Sequence, residues 1–193
     1  MSSFDSLIEQ AIERFKTKCP TIDYTNYLIV SPYDQKLLYI ANNKIQKIYP
    51  VSTSKFGLGN LEDSFKTPIG IHHIEEKIGE GLPINTIFKG RKTIKNNMTL
   101  EDLYNDEKLK SEHFENFDDV ITSRILRLKG LEMNINLGSN VDSYLRYIYI
   151  HGTAHEDQIG KEASHGCVRM LNKDVIELFD NCCEKMLVLI SDN

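Results

Sequence analysis

The sequence lacks any apolar run that spans a membrane, any basic cluster and any disulfide framework. Its longest apolar stretches, such as residues 147–150 and 186–190, fall far short of the ~20 residues a helix needs to cross a bilayer, so no membrane insertion is expected. Lysine and arginine total 23 against 28 acidic residues, a formal net charge of −5. With no Lys/Arg-rich run, the electrostatic footprint that a phosphate backbone demands is missing, and nucleic acid is not expected as a partner. The four cysteines, Cys19, Cys167, Cys182 and Cys183, show no framework spacing, and a bridge between the vicinal pair would be strained. Repeats and low-complexity segments are also missing. What remains is 40% hydrophobic and 26% charged, the composition of an ordinary globular chain. At 193 residues one domain with a long insertion or appendage is expected.

The N-terminus does not show the basic segment followed by about 7–15 apolar residues that marks a secretory signal. Phe4, Leu7, Ile8, Ala11, Ile12 and Phe15 instead form one stripe at helical spacing, with Asp5, Glu9 and Glu13 opposite. Ser2 or Ser3 suits the cap, Lys16 and Lys18 suit the negative end, and Pro20 stops the helix. Residues 1–20 therefore read as a helix packed on a domain of residues 21–193. Unbridged cysteines and the missing signal make the cytoplasm the expected location, with the periplasm as the alternative should another export route operate.

After Pro20 the pattern changes to short runs rich in Ile, Leu, Val and Tyr. Residues 24–31, 36–41 and 44–52 read as an antiparallel meander, with Asn42-Asn43 where a tight turn needs residues that tolerate positive φ. A polar loop over 54–66 leads to a strand near 70–75. The charged stretch over about 76–119 is an excursion or lid, with a short helix near 100–109. Strands follow at 124–128 and 146–150. Asn172 is a candidate N-cap for a helix to about Cys183, and residues 186–191 read as the last strand. The fold class is mainly β with flanking helices.

The residues that carry chemistry lie in 147–172, YIYIHGTAHEDQIGKEASHGCVRMLN. A buried strand ends at His151-Gly152, and 16 positions after His151 comes Cys167, within Ser164-His165-Gly166-Cys167-Val168-Arg169. Histidine and cysteine brought together by a returning loop supply a base and a sulfur nucleophile. Gly166 leaves the backbone before the thiol unencumbered, so that successive N–H groups can converge on an oxyanion. Two other readings compete on these residues alone. A buried cysteine is commonly an inert packing residue. A zinc site could draw on His151, His155, His165 and Cys167, although His151 and His155 follow a strand and so share no helical face. His72 and His73 point to opposite faces of a strand. Cys19, Cys182 and Cys183 read as packing thiols, the charged residues 101–119 as solvated surface, and Tyr144, Tyr147 and Tyr149 as core or wall.

The whole string resembles the catalytic core of the L,D-transpeptidases of the YkuD family: a His-Gly at a strand end, a spacer, then Ser/Thr-His-Gly-Cys, an apolar residue and Arg or Asn. Here it is matched by His151-Gly152 and by SHGCVRM over 164–170. Upstream, Pro50-Val51-Ser52-Thr53 and Thr67-Pro68-Ile69-Gly70 look like the family's Val-Ser-Thr strand end and Thr-Pro-x-Gly turn. The likeness covers roughly residues 24–191. It implies a β-sandwich or barrel-like sheet with an N-terminal amphipathic helix and a C-terminal helix outside. It also implies Cys167 as nucleophile, His151 as its base and the Gly152 carbonyl as the group that orients the ring. The N–H groups of His165, Gly166 and Cys167 would form an oxyanion hole, Ser164 would meet substrate, and Arg169 would either hold the site together or meet a substrate carboxylate. No cofactor and no metal are implied. The implied substrate is a muropeptide or peptidoglycan stem peptide, cut between diaminopimelate and D-alanine through a thioester. Water as acceptor makes the enzyme an L,D-carboxypeptidase of murein recycling. An amine acceptor makes it a 3→3 crosslinking or D-amino-acid-exchanging transpeptidase. A non-catalytic zinc or peptidoglycan-binding module is the reading from another class.

Overall fold

The structure, a computed structural model, describes residues 3–94, 97–105 and 120–192. Three strands, β1 (Asn26–Ser31), β2 (Lys36–Ala41) and β3 (Lys44–Ser52), form an antiparallel meander. Asn42 and Asn43 turn the second hairpin at φ 51° and 58°, the positive values that a two-residue turn needs to match strand twist. β4 (Gly70–Ile78) follows, then the short hairpin β5 (Ile87–Lys89) and β6 (Lys92–Thr93), then β7 (Ile121–Gly130). β8 (Tyr149–Thr153), β9 (Val168–Met170) and β10 (Leu187–Ile190) complete ten strands among the described residues. Their order is β4-β10-β1-β2-β3-β9-β8-β7, and β4 also pairs with β7. Eight strands therefore close into a ring, which removes their free edges. The β5–β6 hairpin extends the first residues of β7.

Burial explains why β1, β2 and β10 read as near-continuous apolar runs, because each is covered on both faces. Leu28, Val30, Leu37, Val188 and Ile190 face an inner core closed by Val175, Leu178 and Phe179 of the helix α3 (Asn172–Asn181). Tyr27, Ile29, Leu38, Ile40, Leu187 and Leu189 face outward onto the helix α1 (Ser3–Lys18), which contributes Leu7, Ala11 and Phe15. Phe15 is fully buried and meets Tyr27 edge-on at 5.2 Å. Burying such a side chain is worth about 1.5–3 kcal/mol. The α2 helix is short, Leu100–Tyr104, and the rest of the helix expected over 100–109 lies outside the described residues, apart from Asn105. The expected excursion is similarly incomplete beyond that point. Its described part carries its own apolar cluster, Ile87, Ile94, Met98, Leu100 and Val120.

Local polar contacts move several boundaries away from the sequence reading. The strand expected at 146–150 starts only at Tyr149. Asp142 Oδ1 accepts the N–H groups of Tyr144 (3.0 Å) and Leu145 (3.1 Å), holding 142–147 as a turn with Tyr147 at φ 57°. Asn172 is the first helical residue instead of the cap, because its side chain reaches back to the sheet. His72 is fully buried between the Gly70 carbonyl (3.0 Å) and Ser143 Oγ (2.9 Å), while His73 meets Glu75. Burial lowers His72's pKa to about 4.

Candidate active site

β8 and β9 run parallel, with Ile150 opposite Val168, His151 opposite Arg169 and Gly152 opposite Met170. Side chains alternate along a strand. Ile150 and Val168 thus enter the inner core, and Tyr149 and His151 share the other face with Arg169 and with Cys167, one residue before β9. Cys167 accordingly packs against Phe88, Ile125 and Tyr149. His151 is fully buried, and its Nδ1 lies 2.7 Å from the Gly152 carbonyl oxygen. A carbonyl only accepts, so Nδ1 is the donor in this contact. Cys167 is half-buried and its Sγ donates to the Tyr147 carbonyl at 3.5 Å.

The turn ahead of the thiol is stitched by Ser164, whose Oγ donates to the Cys167 carbonyl (2.6 Å) and accepts the Gly166 N–H (3.2 Å). Gly166 sits at φ +126°, a conformation closed to most side chains. The end of β3 seats this turn. The Thr53 carbonyl accepts the N–H groups of Ala163 (2.8 Å) and Ser164 (2.9 Å), and the Ser164 carbonyl accepts the Lys55 N–H (3.1 Å). Gly152 is required by close packing, since a Cβ there would lie 2.6 Å from Asn172 Oδ1 and 2.6 Å from the Thr122 carbonyl oxygen. Asn172 Oδ1 accepts from Thr122 Oγ1 (2.6 Å) and Ser123 Oγ (2.5 Å). Its Nδ2 donates to the Thr153 carbonyl and Glu156, both at 2.9 Å.

Beside the thiol lies a cavity of about 200 Å³ lined by Glu62, Asp63, Phe65, Leu145, Arg146, Tyr147, Ile148 and His165. The His165 ring stands 5.9 Å from Phe56 and 6.2 Å from Phe65. Arg146 straps the loop over this cavity. Its Nη1 donates to the Gly59 (3.3 Å) and Asn60 (2.9 Å) carbonyls, and Nη2 to the Lys66 carbonyl (2.7 Å). Burial pushes the Arg146 pKa down, opposed by its electrostatic attraction to the Cys167 sulfur and the Glu62 carboxylate. From the excursion, Arg91 stands 5.3 Å over the Tyr147 ring and donates to Tyr149 OH at 3.3 Å. Burial raises the Tyr149 phenol pKa, against the pull of Arg91.

The structure thus gathers His151, Gly152, Ser164, His165, Gly166 and Cys167 at one end of the β8–β9 pair. Ser164 and Arg169, expected to meet substrate, are both fully buried. Ser164 is committed to its own turn, and Arg169 Nη1 donates to Gln158 Oε1 at 3.1 Å, bracing the loop that leads to the thiol. Among the described residues no cluster of three or more His, Cys, Asp or Glu side chains has metal-holding geometry. Asn172, Arg146 and Arg91 were not legible as site residues. Only Asn172 carried a signal, and it read as a helix cap.

Comparison with known proteins agrees with this architecture. A model of the YkuD family, described as the L,D-transpeptidase catalytic domain, matches residues 25–190. A curated Bacillus subtilis (strain 168) protein, named as an L,D-transpeptidase, YqjB, is 46% identical over 44 residues, 23% of this chain and 25% of that protein. A solved L,D-transpeptidase from Mycobacterium tuberculosis H37Rv superposes with a TM-score of 0.52 at 11% identity, over 87% of this chain and 58% of its own. The Enterococcus faecium L,D-transpeptidase C442S mutant gives 0.51 at 15% identity, over 89% and 51%. The match to the curated relative spans a quarter of that protein's length, and these two solved chains are matched over little more than half of theirs. On the extent of the family match, the chain belongs to the YkuD family of L,D-transpeptidase catalytic domains.

Proposed function

We propose that this enzyme trims the terminal D-alanine from a tetrapeptide stem of soluble muropeptides, acting as an L,D-carboxypeptidase through a Cys167 thioester. His151 takes the thiol proton and the Cys167 thiolate attacks the carbonyl that follows the L-centre of diaminopimelate. The tetrahedral oxyanion is held by N–H groups of the turn 165–167. The imidazolium then returns the proton to the departing amine of D-alanine. Water, deprotonated by His151, attacks the thioester, and its proton passes back to the sulfur as the tripeptide leaves. The Gly166 N–H also donates to Ser164 Oγ, which holds this turn in shape. Donors of this kind are typically worth about 2.7–4 kcal/mol each.

The observation that carries this reading is the 2.7 Å contact between His151 Nδ1 and the Gly152 carbonyl. It fixes the tautomer whose Nε2 serves as a base, on the strand face shared with Cys167. The four free thiols are in keeping with action in a reducing cytoplasm, where the substrate is a soluble muropeptide and water the abundant acceptor. The test is incubation with a disaccharide tetrapeptide, with and without an added D-amino acid, followed by mass analysis. Tripeptide and D-alanine are expected in both arms. Crosslinked dimers or exchanged D-amino acids as the main products would instead assign transpeptidation, and failure to form any adduct on Cys167 would overturn acyl transfer itself.

A further inference from the structure

The cavity beside Cys167 is lined by charges of both signs, and although Glu62 attracts Arg146 electrostatically, no ion pair joins them among the described residues. Arg146 spends three of its N–H donors on neutral carbonyls. Among the described residues neither its Nε nor its remaining Nη2 hydrogen has a hydrogen-bond partner, and no carboxylate lies within ion-pair distance. Glu62 and Asp63 line the same cavity; both are exposed, and their carboxylates have no hydrogen-bond or ion-pair partner among the described residues. A guanidinium fork with two unused hydrogens matches a carboxylate, and a pair of carboxylates matches an ammonium. Between them the cavity, about 200 Å³, has room for far more than one water. Its remaining walls include the exposed apolar side chains of Phe65, Leu145 and Tyr147, which suit a short methylene chain.

Resting on the acyl-transfer reading above, we propose that this cavity is a zwitterion subsite: Arg146 holds the carboxylate, and Glu62 with Asp63 the ammonium, of a free amino-acid end on the acyl donor. In a stem peptide that group is the distal end of a diaminopimelate side chain. A lysine side chain offers the ammonium alone, and an amidated diaminopimelate has lost the carboxylate. The subsite lies next to the thiol, since Tyr147 contributes its wall and also the carbonyl that accepts from Cys167 Sγ. Binding the distal end there holds the main chain of the same residue over the nucleophile.

The test compares four tetrapeptide donors on the wild-type enzyme: free diaminopimelate, its distal amide, its distal N-acetyl derivative, and lysine. The reading is kcat/KM for thioester formation on Cys167, with alkylation by iodoacetamide as the measure of an intact thiol. The three altered donors are each expected to lose at least about tenfold, the discrimination of one charged contact. The double variant Glu62→Gln, Asp63→Asn is expected to lose discrimination against the N-acetyl donor and to keep that against the amide. Acylation of all four donors by wild type within about twofold, or an unchanged preference in the double variant, overturns the subsite alone. No thioester from any donor overturns the acyl-transfer reading, and the subsite with it.

Discussion

Replacing Gly152 by alanine should damage the fold and the site together. The added Cβ would stand 2.6 Å from the Thr122 carbonyl oxygen and 2.6 Å from Asn172 Oδ1, about 1 Å inside normal contact. The Thr122 oxygen is main chain of β7 and cannot rotate away. Asn172 can turn aside only by abandoning Thr122 Oγ1 and Ser123 Oγ, both buried, and its own bonds to Thr153 and Glu156. Overpacking of this kind costs about 1–3 kcal/mol, and each buried polar group left unsatisfied adds about 1–3 kcal/mol. A loss of about 3–5 kcal/mol is expected, a large share of the ~5–15 kcal/mol that holds a typical domain together.

The same displacement moves the Gly152 carbonyl away from His151 Nδ1, so acylation should fall by more than the unfolded fraction explains. Urea unfolding gives the first quantity. Single-turnover acylation of the folded variant, measured well below its midpoint, gives the second. Adding Asn172→Ala removes one of the two obstacles and leaves the Thr122 oxygen in place, so the double variant should be more stable than the sum of the single changes predicts by about 0.5–3 kcal/mol. A Gly152→Ala protein within about 0.5 kcal/mol of wild type and fully active would refute the close-packing argument.

Cys167→Ala and Cys167→Ser should fold with wild-type midpoints and form no acyl-enzyme by mass spectrometry; more than a few per cent residual turnover would remove the covalent route. His151→Ala should slow single-turnover acylation by at least the ~10²-fold of a lost general base, and His165→Ala less, the opposite order reassigning the base. Acid should destabilise the fold through His72. Its pKa, about 4 when folded against 6.5 when free, leaves the unfolded chain alone able to take the proton between those values, so stability is full above pH 6.5 and falls as pH drops toward 4. At 1.36 kcal/mol per unit the loss at pH 5 is about 2 kcal/mol, and urea midpoints that stay level from pH 7 to 5 would contradict it.

Much of the site was legible because its signal is local. Alternation places His151 at the end of an apolar strand, and the glycine before Cys167 marks a turn. The α1 stripe and Asn42-Asn43 were readable for the same reason, each depending on neighbours a few positions away. Arg146 escaped because Asp142, four residues earlier, captures the N–H groups that a strand would have used. Asn172 escaped because a cap and a cross-element bracket demand the same side chain, and only the position of Thr122 and Ser123 decides between them. Closure of the ring was illegible for a different cause. The β4–β7 pairing joins distant segments and includes a register shift between Ile74 and Glu76, which periodicity cannot carry.

One of the two parallel pairs in a mostly antiparallel ring, β8–β9, accounts for the placement of the candidate site. An antiparallel return after β8 would bring the chain back from Thr153 with its next residues beside the end of the strand. The parallel pairing of β9 with β8 forces residues 154–167 to cross over and re-enter beside the beginning of β8, as such connections must. That detour delivers Cys167 to the Tyr149 end of the strand that carries His151, and it gives the crossover its contacts with Val51 and Thr53 of the β3 end. His151 and Cys167 are thereby tied to neighbouring strands of a closed ring and cannot drift apart without breaking the sheet. The cavity walls belong instead to the turns 56–66 and 142–148 and to His165, all outside the regular strands. Rigid strands suit the proposed acyl-transfer step, which requires fixed geometry, and turns suit the choice of substrate, which can change without disturbing it.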